Sequence, residues 1–170
     1  GGTLVLGGDG RYGNKHAIDV ILKMGSAHGL SRVITTTNGI LSTPAASNLI
    51  RTRKAIGGII LSASHNPGGP DADFGVKVNG ANGGPTPESF TDAVYACSKT
   101  IKEYKIINSA SIPLTEKGKY LIGNMAIEVI DGVEDYMSLM ERIFDFDQIR
   151  DLIKHDFKIV FDAMHAVTGP

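Results

Sequence analysis

Short apolar runs alternate with stretches of helical periodicity along this chain. Residues 4–6 and 57–61 are apolar throughout, which is typical of strands buried on both faces of a sheet, and we expect 57–61 in its interior. Apolar residues recur at helical spacing over 17–24, and Thr43-Pro44 predicts a second helix with Thr43 as its N-cap. Strands that alternate with helices predict the fold class α/β: a mixed, mostly parallel sheet with helices on both faces.

The other elements follow less regular patterns. Val76 and Val78 alternate with Lys77 in a strand predicted over 74–78, and Thr86-Pro87-Glu88 predicts a long helix that reaches about residue 104. Residues 105–125 have no clear pattern and are predicted to be irregular. Further predictions are a glycine-rich turn at 7–10, strands at 33–34, 127–130 and 158–161, a helix begun by a capping box at 131–134, and a short helix at 149–153.

Composition narrows the class of protein. The 170 residues include 17 basic and 18 acidic side chains, a net charge of −1, so no electrostatic field favours nucleic acid or a membrane surface. No apolar run approaches the roughly 20 residues that span a bilayer. The single cysteine, Cys97, cannot form an internal disulfide, and we expect a reducing cytoplasm. Both ends of the chain lie beside predicted apolar strands, and we expect a piece of a longer protein.

A G-x-G-x-x-G pattern occupies residues 8–13, between the first predicted strand and the first helix. In this position the pattern is typical of dinucleotide-binding proteins, including oxidoreductases. Two features argue against that hypothesis. The second strand ends in residues 35–38 (TTTN) without the acid that would bind a ribose, and the charge of Asp9 would repel a pyrophosphate. A tight turn that caps the helix is the favoured interpretation.

The loop after the predicted central strand, residues 62–70, carries the strongest candidate chemistry. Ligands of open α/β sheets bind beyond the carboxyl ends of the strands, so the position of this loop is favourable. Ser64 is a candidate nucleophile, His65 a candidate base and Asn66 an orienting donor, while the glycines allow the backbone to approach a phosphate. An ordinary surface turn stays open as the alternative, because Asn-Pro-Gly-Gly forms turns in many proteins.

Lys77 lies thirteen positions after Ser64, on the next predicted strand. We expect it to return to the same sheet edge as the serine, where it would hold a phosphoryl oxygen or transfer a proton. The sequence therefore predicts that Ser64 and Lys77 face a common depression. A solvated strand lysine is the alternative, and Asp71 and Asp73 are more typical of a turn than of a metal site.

Seven motifs, taken together and in order, resemble those of one enzyme family. They are residues 7–12 (GGDGRY), 38–45 (NGILSTPA), 62–70 (SASHNPGGP), 73–77 (DFGVK), 82–88 (NGGPTPE), 143–146 (IFDF) and 162–165 (DAMH). The set resembles the α-D-phosphohexomutases, and most closely their phosphoglucomutase branch. The resemblance covers nearly the whole chain except residues 105–125. It implies four α/β domains around a cleft, with residues 1–156 as most of the first domain and 157–170 as the first strand of the second.

The resemblance also implies roles for individual residues. Ser64 would carry a phosphoryl group, pass it to a hexose phosphate and recover another from the bisphosphate intermediate. Lys77 and His65 would serve in proton transfer and phosphoryl contact, and Asn66 and Arg11 would bind substrate or phosphate. Mg²⁺ would bind the phosphoryl group of Ser64, with its remaining ligands in a second-domain loop that this chain lacks.

The implied reaction interconverts glucose 1-phosphate and glucose 6-phosphate, with glucose 1,6-bisphosphate as intermediate and activator. A mannose or N-acetylglucosamine phosphate mutase stays open, because the family's sugar-recognition loop lies outside this sequence. A non-catalytic member of the family is a third hypothesis. We expect the full-length enzyme to be a cytoplasmic monomer or dimer that binds neither nucleic acid nor membrane, and the fragment alone to be inactive.

Overall fold

Strands and helices alternate through most of the chain, as the periodicity predicts. The computed structural model describes residues 2–169. The strands are β1 Thr3–Gly8, β2 Arg32–Thr36, β3 Gly57–Leu61, β4 Val76–Gly80, β5 Gly118–Ile122 and β6 Met125–Ile130. The helices are α1 Asn14–Ala27, α2 Thr43–Thr52, α3 Glu88–Ser98, α4 Glu134–Ile143 and α5 Phe146–Lys154, with a short 3-10 turn at Thr37–Gly39. Among the described residues, no helix is both long and apolar enough to cross a membrane.

The six strands form one sheet in the order β4-β3-β1-β2-β6-β5. The four inner strands pair in parallel, whereas β4 and β5 run antiparallel along the two edges. This arrangement confirms the mixed, mostly parallel sheet. It also confirms the interior place of β3, whose continuous apolar run suits a strand that is covered on both faces.

Each face of the sheet is covered by its own hydrophobic core. Successive side chains of a strand point to opposite faces, so neighbours such as Ile60 and Leu61 enter different cores. On one face the buried side chains of α2 pack on Val5, Ile34 and Ile60; on the other, those of α1 pack on Leu6, Val33 and Leu61. Each fully buried side chain of this size contributes about 1.5–3 kcal/mol. Helices on both faces, as predicted, are therefore confirmed.

Strand β5 was missed, because it lies inside the segment predicted to be irregular. It forms a hairpin with β6 in which Tyr120 and Ile122 face the core, while Lys119 and Leu121 face outwards. The apolar/polar alternation typical of a half-buried strand is broken here, because the outward-facing Leu121 is apolar and 72% exposed. The two-residue Gly-Asn connection that follows Ile122 is a recognised hairpin signal and was available in the sequence.

Several elements begin or end at residues other than those predicted. The first strand includes Gly7 and Gly8, β4 begins at Val76, and α3 ends at Ser98. Ser42 caps α2 in place of Thr43, since its hydroxyl accepts the Ala45 N–H at 3.3 Å. These displacements do not alter the order of the elements.

The predicted capping box at the start of α4 does not form. The Asp131 carboxylate accepts the Val133 N–H at 2.8 Å, which makes a turn just before the helix. Glu134, the other member of the expected pair, forms an ion pair with Lys117 instead. The prediction was wrong because both side chains found nearer partners.

The predicted strand at 158–161 is also absent from the sheet. These residues form no regular element and are exposed, and Val160 retains 95% of its accessible surface. A strand is stable only when its backbone groups pair with a neighbour, and residues 158–161 pair with no strand in the described part of the chain.

Candidate active site

The candidate site lies where parallel strands β1 and β3 end side by side. The turn after β1 carries Asp9, and the loop after β3 carries residues 62–73, which we call the serine loop. A backbone hydrogen bond of 3.0 Å from the Asp9 N–H to the Leu61 carbonyl joins the two strand ends. Neighbouring carboxyl ends of parallel strands are the usual ligand position in such sheets.

Ser64 has a backbone conformation that is uncommon for its residue type. Its φ of 58° lies in the left-handed region, which costs a residue with a Cβ atom about 1 kcal/mol. The Ser64 N–H donates to the hydroxyl of Ser62 at 3.0 Å. The Ser64 side chain itself is exposed, so its hydroxyl is open to a ligand.

Lys77 contacts Ser64 directly. Its Nζ donates to Ser64 Oγ at 2.7 Å. The contact arises because β4 returns antiparallel to β3, with Lys77 opposite Ile60, so that its side chain reaches the start of the serine loop. The structure thus brings together the two residues that the sequence pattern placed at one sheet edge.

His65 and Asn66 lie at the exposed tip of the serine loop. The Asn66 N–H donates to the Ala63 carbonyl at 3.1 Å, which closes a turn around Ser64 and His65. No side-chain hydrogen bond of His65 is found among the described residues, so the structure does not pair it with Ser64. Both side chains are free to meet a ligand.

Arg11 occupies a different position from that expected of a residue open to substrate. Its guanidinium binds the Asp9 carboxylate at 2.8–3.0 Å. It also donates to the backbone carbonyls of Asp73 at 2.6 Å and Ser64 at 3.3 Å. Only 7% of the side chain is exposed. The N–H donors of Arg11, to which the family resemblance gave a role in phosphate binding, are therefore directed at the serine loop.

The charges of this pair are stabilised by their contacts. Burial opposes ionisation of Asp9, but hydrogen bonds from Arg11 and Ser62 outweigh it and hold the pKa of Asp9 below its ordinary value. The hydrogen bond to Asp9 raises the pKa of Arg11. Both groups are therefore ionised at neutral pH. From the sequence, Asp9 is interpreted only as a charge that would repel a pyrophosphate. Its spacing of two residues from Arg11 was a usable signal for an ion pair.

Close packing requires glycine at residue 75, between the serine loop and β4. The Gly75 carbonyl accepts the Ser62 N–H at 2.9 Å, and a Cβ atom at Gly75 would lie 2.3 Å from the Ser62 carbonyl oxygen. The antiparallel pairing of β3 with β4 can therefore continue to Ser62 and Gly75 only because residue 75 has no side chain.

The G-x-G-x-x-G segment forms the turn that was favoured over a dinucleotide site. Gly8 ends β1, and Gly13 precedes α1 with φ 83°, a left-handed conformation that suits glycine. No side chain within residues 2–169 caps this helix, so the turn was predicted correctly but the side-chain cap was not. Asp9 and Arg11 pair across the turn, so the space between these glycines holds an ion pair.

A cleft of about 820 Å³ opens in front of Asp9, Arg11 and Ser64, and neither Lys77 nor His65 is among its lining residues. Its lining includes Asp9, Ser64, Asn66, Tyr136 and residues 165–168 near the end of the chain. Within residues 2–169, no three His, Cys, Asp or Glu side chains are grouped as a metal site. A cation beside Ser64 would therefore take only part of its ligands from the described residues.

Comparison with known sequences assigns the chain to a family. A family model described as phosphoglucomutase/phosphomannomutase, alpha/beta/alpha domain I, matches residues 1–105. The chain belongs to the phosphoglucomutase/phosphomannomutase family. The resemblance stated from the motifs is thereby confirmed, and the domain that matches contains the serine loop and Lys77.

Known members of the phosphoglucomutase/phosphomannomutase family resemble the chain along its whole length. It is 56% identical to a phosphoglucomutase of Rhizobium radiobacter over 170 residues, which is 100% of this chain and 31% of that protein. It is 52% identical to a chloroplastic phosphoglucomutase of Arabidopsis thaliana over 168 residues, 98% of this chain and 27% of that protein. The chain thus spans about a third of the length of such relatives.

A solved structure agrees with the fold. The exocytosis-sensitive phosphoprotein parafusin from Paramecium, a phosphoglucomutase in an open form, superimposes with a TM-score of 0.94 at 42% identity. The match covers 99% of this chain and 32% of that protein. It confirms the mixed α/β sheet of the phosphoglucomutase type.

Proposed function

We propose that this chain is the first domain of a phosphoglucomutase that interconverts glucose 1-phosphate and glucose 6-phosphate, with Ser64 as the phosphoryl carrier. One observation supports this most directly: the 2.7 Å hydrogen bond from Lys77 Nζ to the exposed Ser64 Oγ, at the carboxyl ends of the parallel strands. In this proposal residues 1–156 belong to the first domain and residues 157–170 begin the second. The other domains would supply the groups that complete the site.

The proposed reaction has two transfers of a phosphoryl group. In the first, the bond between phosphorus and Ser64 Oγ breaks, and a bond forms to the free hydroxyl oxygen of the hexose monophosphate. The product is glucose 1,6-bisphosphate, which also serves as activator by phosphorylating Ser64. In the second, the other phosphoryl group of the bisphosphate returns to Ser64 Oγ.

Lys77 is proposed to act at Ser64 Oγ. Negative charge develops on that oxygen as the phosphoryl group leaves, and the lysine ammonium is placed to neutralise it or to donate a proton. In the reverse direction the neutral amine would accept the serine proton. Lys77→Ala should therefore slow transfer without removing the atom that is phosphorylated.

The other predicted site residues have proposed roles that follow from their positions. His65, exposed beside Ser64, would receive the proton of the sugar hydroxyl or contact the phosphoryl group. Asn66 lines the cleft and would donate to a phosphate oxygen. Arg11 would act on the phosphate through the serine loop that it holds, because its guanidinium is already bound to that loop.

Mg²⁺ fits the chemistry of a phosphorylated Ser64. A phosphoryl group on this exposed side chain would present oxygen atoms, the ligands that Mg²⁺ prefers, to the cleft. When bound, the ion would neutralise phosphoryl charge. Ser64 would provide this chain's ligand through its phosphoryl group, and the remaining ligands would come from elsewhere in the protein.

The setting of the enzyme is also a proposal. We infer a cytoplasmic enzyme, monomeric or dimeric at full length, that binds a hexose phosphate and neither nucleic acid nor membrane. The near-neutral charge and the single cysteine support this inference. Chloroplastic relatives are the competing case, and cell fractionation with an antibody to this domain would distinguish the two.

Substitution of Ser64 tests the carrier role in the full-length enzyme. Ser64→Ala should lower kcat by about a thousandfold or more and abolish the phosphoenzyme, because no oxygen is left to accept the phosphoryl group. Intact-mass analysis and a glucose 1-phosphate assay, with mannose 1-phosphate in parallel, measure both effects. Ser138→Ala is the matched control, since Ser138 is an exposed serine on α4. Normal turnover by Ser64→Ala would overturn the proposal.

A further inference from the structure

Behind the serine loop, Asp9, Arg11 and Ser62 form a connected network that we call the loop brace. We propose that the loop brace holds Ser64 in its left-handed conformation, and that these three positioning residues are required for rapid phosphoryl transfer. The inference rests on the proposed function for its kinetic readout. It assigns to Arg11 a structural task at the site that differs from direct binding of substrate.

Ser62 forms the first arm of the brace. Its hydroxyl accepts the N–H of Ser64 at 3.0 Å, which fixes the backbone at the residue with positive φ. Ser62 is only 6% exposed, so water does not replace this bond easily. Ser62 also lowers the pKa of Asp9, and its arm connects to Arg11 through Ser64, whose carbonyl accepts from the guanidinium at 3.3 Å.

Arg11 forms the second arm. Its guanidinium binds carbonyls at both ends of the loop, those of Ser64 at 3.3 Å and Asp73 at 2.6 Å. Asp9 holds the guanidinium in place through contacts of 3.0 and 2.8 Å. The planar fork of arginine directs separate N–H groups at a carboxylate and at two distant carbonyls, whereas the three donors of lysine share a single nitrogen.

The loop brace keeps the reacting oxygen, Ser64 Oγ, beside Lys77. A left-handed serine costs about 1 kcal/mol and would relax if its contacts were removed. Relaxation would turn Ser64 Oγ away from Lys77 Nζ, now 2.7 Å away. Displacement of a reacting group by about 1 Å can reduce a rate about a hundredfold. The Arg11 and Ser62 side chains, both nearly buried, therefore act on the reaction through the placement of Ser64.

A pair of substitutions at Ser62 gives the sharpest test in the full-length enzyme. Ser62→Ala removes the hydroxyl, whereas Ser62→Thr keeps it. We expect Ser62→Ala to lower kcat by about 10- to 100-fold and Ser62→Thr to restore most of the rate. KM should change less than kcat, because substrate contacts are left in place. Amide hydrogen exchange at Ser64 should be faster in Ser62→Ala than in Ser62→Thr.

Arg11→Lys and Asp9→Asn test the other members of the loop brace. Both should lower kcat as Ser62→Ala does, and the double variant with Ser62→Ala should lose less than the product of the single losses. Asp135→Asn is the matched control, because it removes a 2.8 Å ion pair with Arg53 on other elements. If a variant at Asp9 or Arg11 fails to fold, the two Ser62 variants decide the question alone.

The outcomes separate this inference from the proposed function. If Ser64→Ala is inactive but Ser62→Ala matches Asp135→Asn in kcat and in Ser64 exchange, the loop brace is refuted and the carrier role stands. Equal kcat values for Ser62→Ala and Ser62→Thr would also refute it, because the proposed role of Ser62 depends on its hydroxyl, which only Ser62→Thr keeps. Activity in Ser64→Ala would instead refute the proposed function.

Discussion

Residues 3–80 and residues 131–169 have similar apolar patterns but different packing. In the first region, strands and helices bury complete side chains on both faces of the sheet. In the second, α4 and α5 are amphipathic helices in which no residue is fully buried. α5 is begun by Asp145, whose carboxylate accepts the N–H groups of Asp147 and Gln148. A capping signal therefore marks where α5 begins, but a helix of nine residues is marginal without tertiary packing, and the first region has far more of that packing.

Truncation of one leucine in each region should show the largest difference. Leu6→Ala should lower the free energy of unfolding by about 3 kcal/mol, because the Leu6 side chain is fully buried between the sheet and α1. Leu152→Ala in α5 should cost less than about 0.5 kcal/mol, since this side chain is 51% exposed. Urea unfolding of both variants measures the two values. Equal losses would show that the second region is packed in solution as tightly as the first.

Alanine substitution of two glycines sharpens the comparison within the first region. Gly75→Ala should cost about 1–3 kcal/mol, because the new Cβ atom would lie 2.3 Å from a backbone oxygen of the serine loop. Gly80→Ala is the control, since the nearest atom, on the Asn82 side chain, is 3.5 Å away. Thermal unfolding compares them. A Gly75→Ala protein as stable as Gly80→Ala would mean that Ser62 and Gly75 do not pair as closely as described.

The Asp9–Arg11 pair should give the smallest effect, and one that depends on pH. The pKa of Asp9 is lowered in the folded state, so its contribution to stability is present at neutral pH and is lost as the pH falls through that lowered value. Asp9→Asn should therefore cost about 1 kcal/mol at neutral pH. The difference from the wild type should shrink in acid. Urea titrations from about pH 7 to pH 3 test this, and a constant difference would contradict it.

Most of the fold could be predicted from sequence, since apolar periodicity reports burial on one or both faces of an element. The interior strand β3 and the helices on both faces were predicted correctly for this reason. The edge strand β5 was missed, because the apolar Leu121 faces outwards and breaks the alternation expected of a half-buried strand. Residues 158–161 show the opposite error. Their apolar pattern predicts a strand, but pairing depends on a neighbour that the pattern cannot reveal.

The candidate site also combines residues that the sequence predicts with contacts that only the tertiary structure reveals. The motif that contains Ser64, and the alternation that turns Lys77 out of its strand, are properties of the sequence itself, and both residues were named from it. Only the tertiary structure decided the 2.7 Å contact between them and the commitment of Arg11 to loop carbonyls 53 and 62 residues away. The physical reason is the distance along the chain over which each kind of interaction acts. Periodicity and capping act over about four residues, whereas the direction of a long side chain depends on partners that folding brings together.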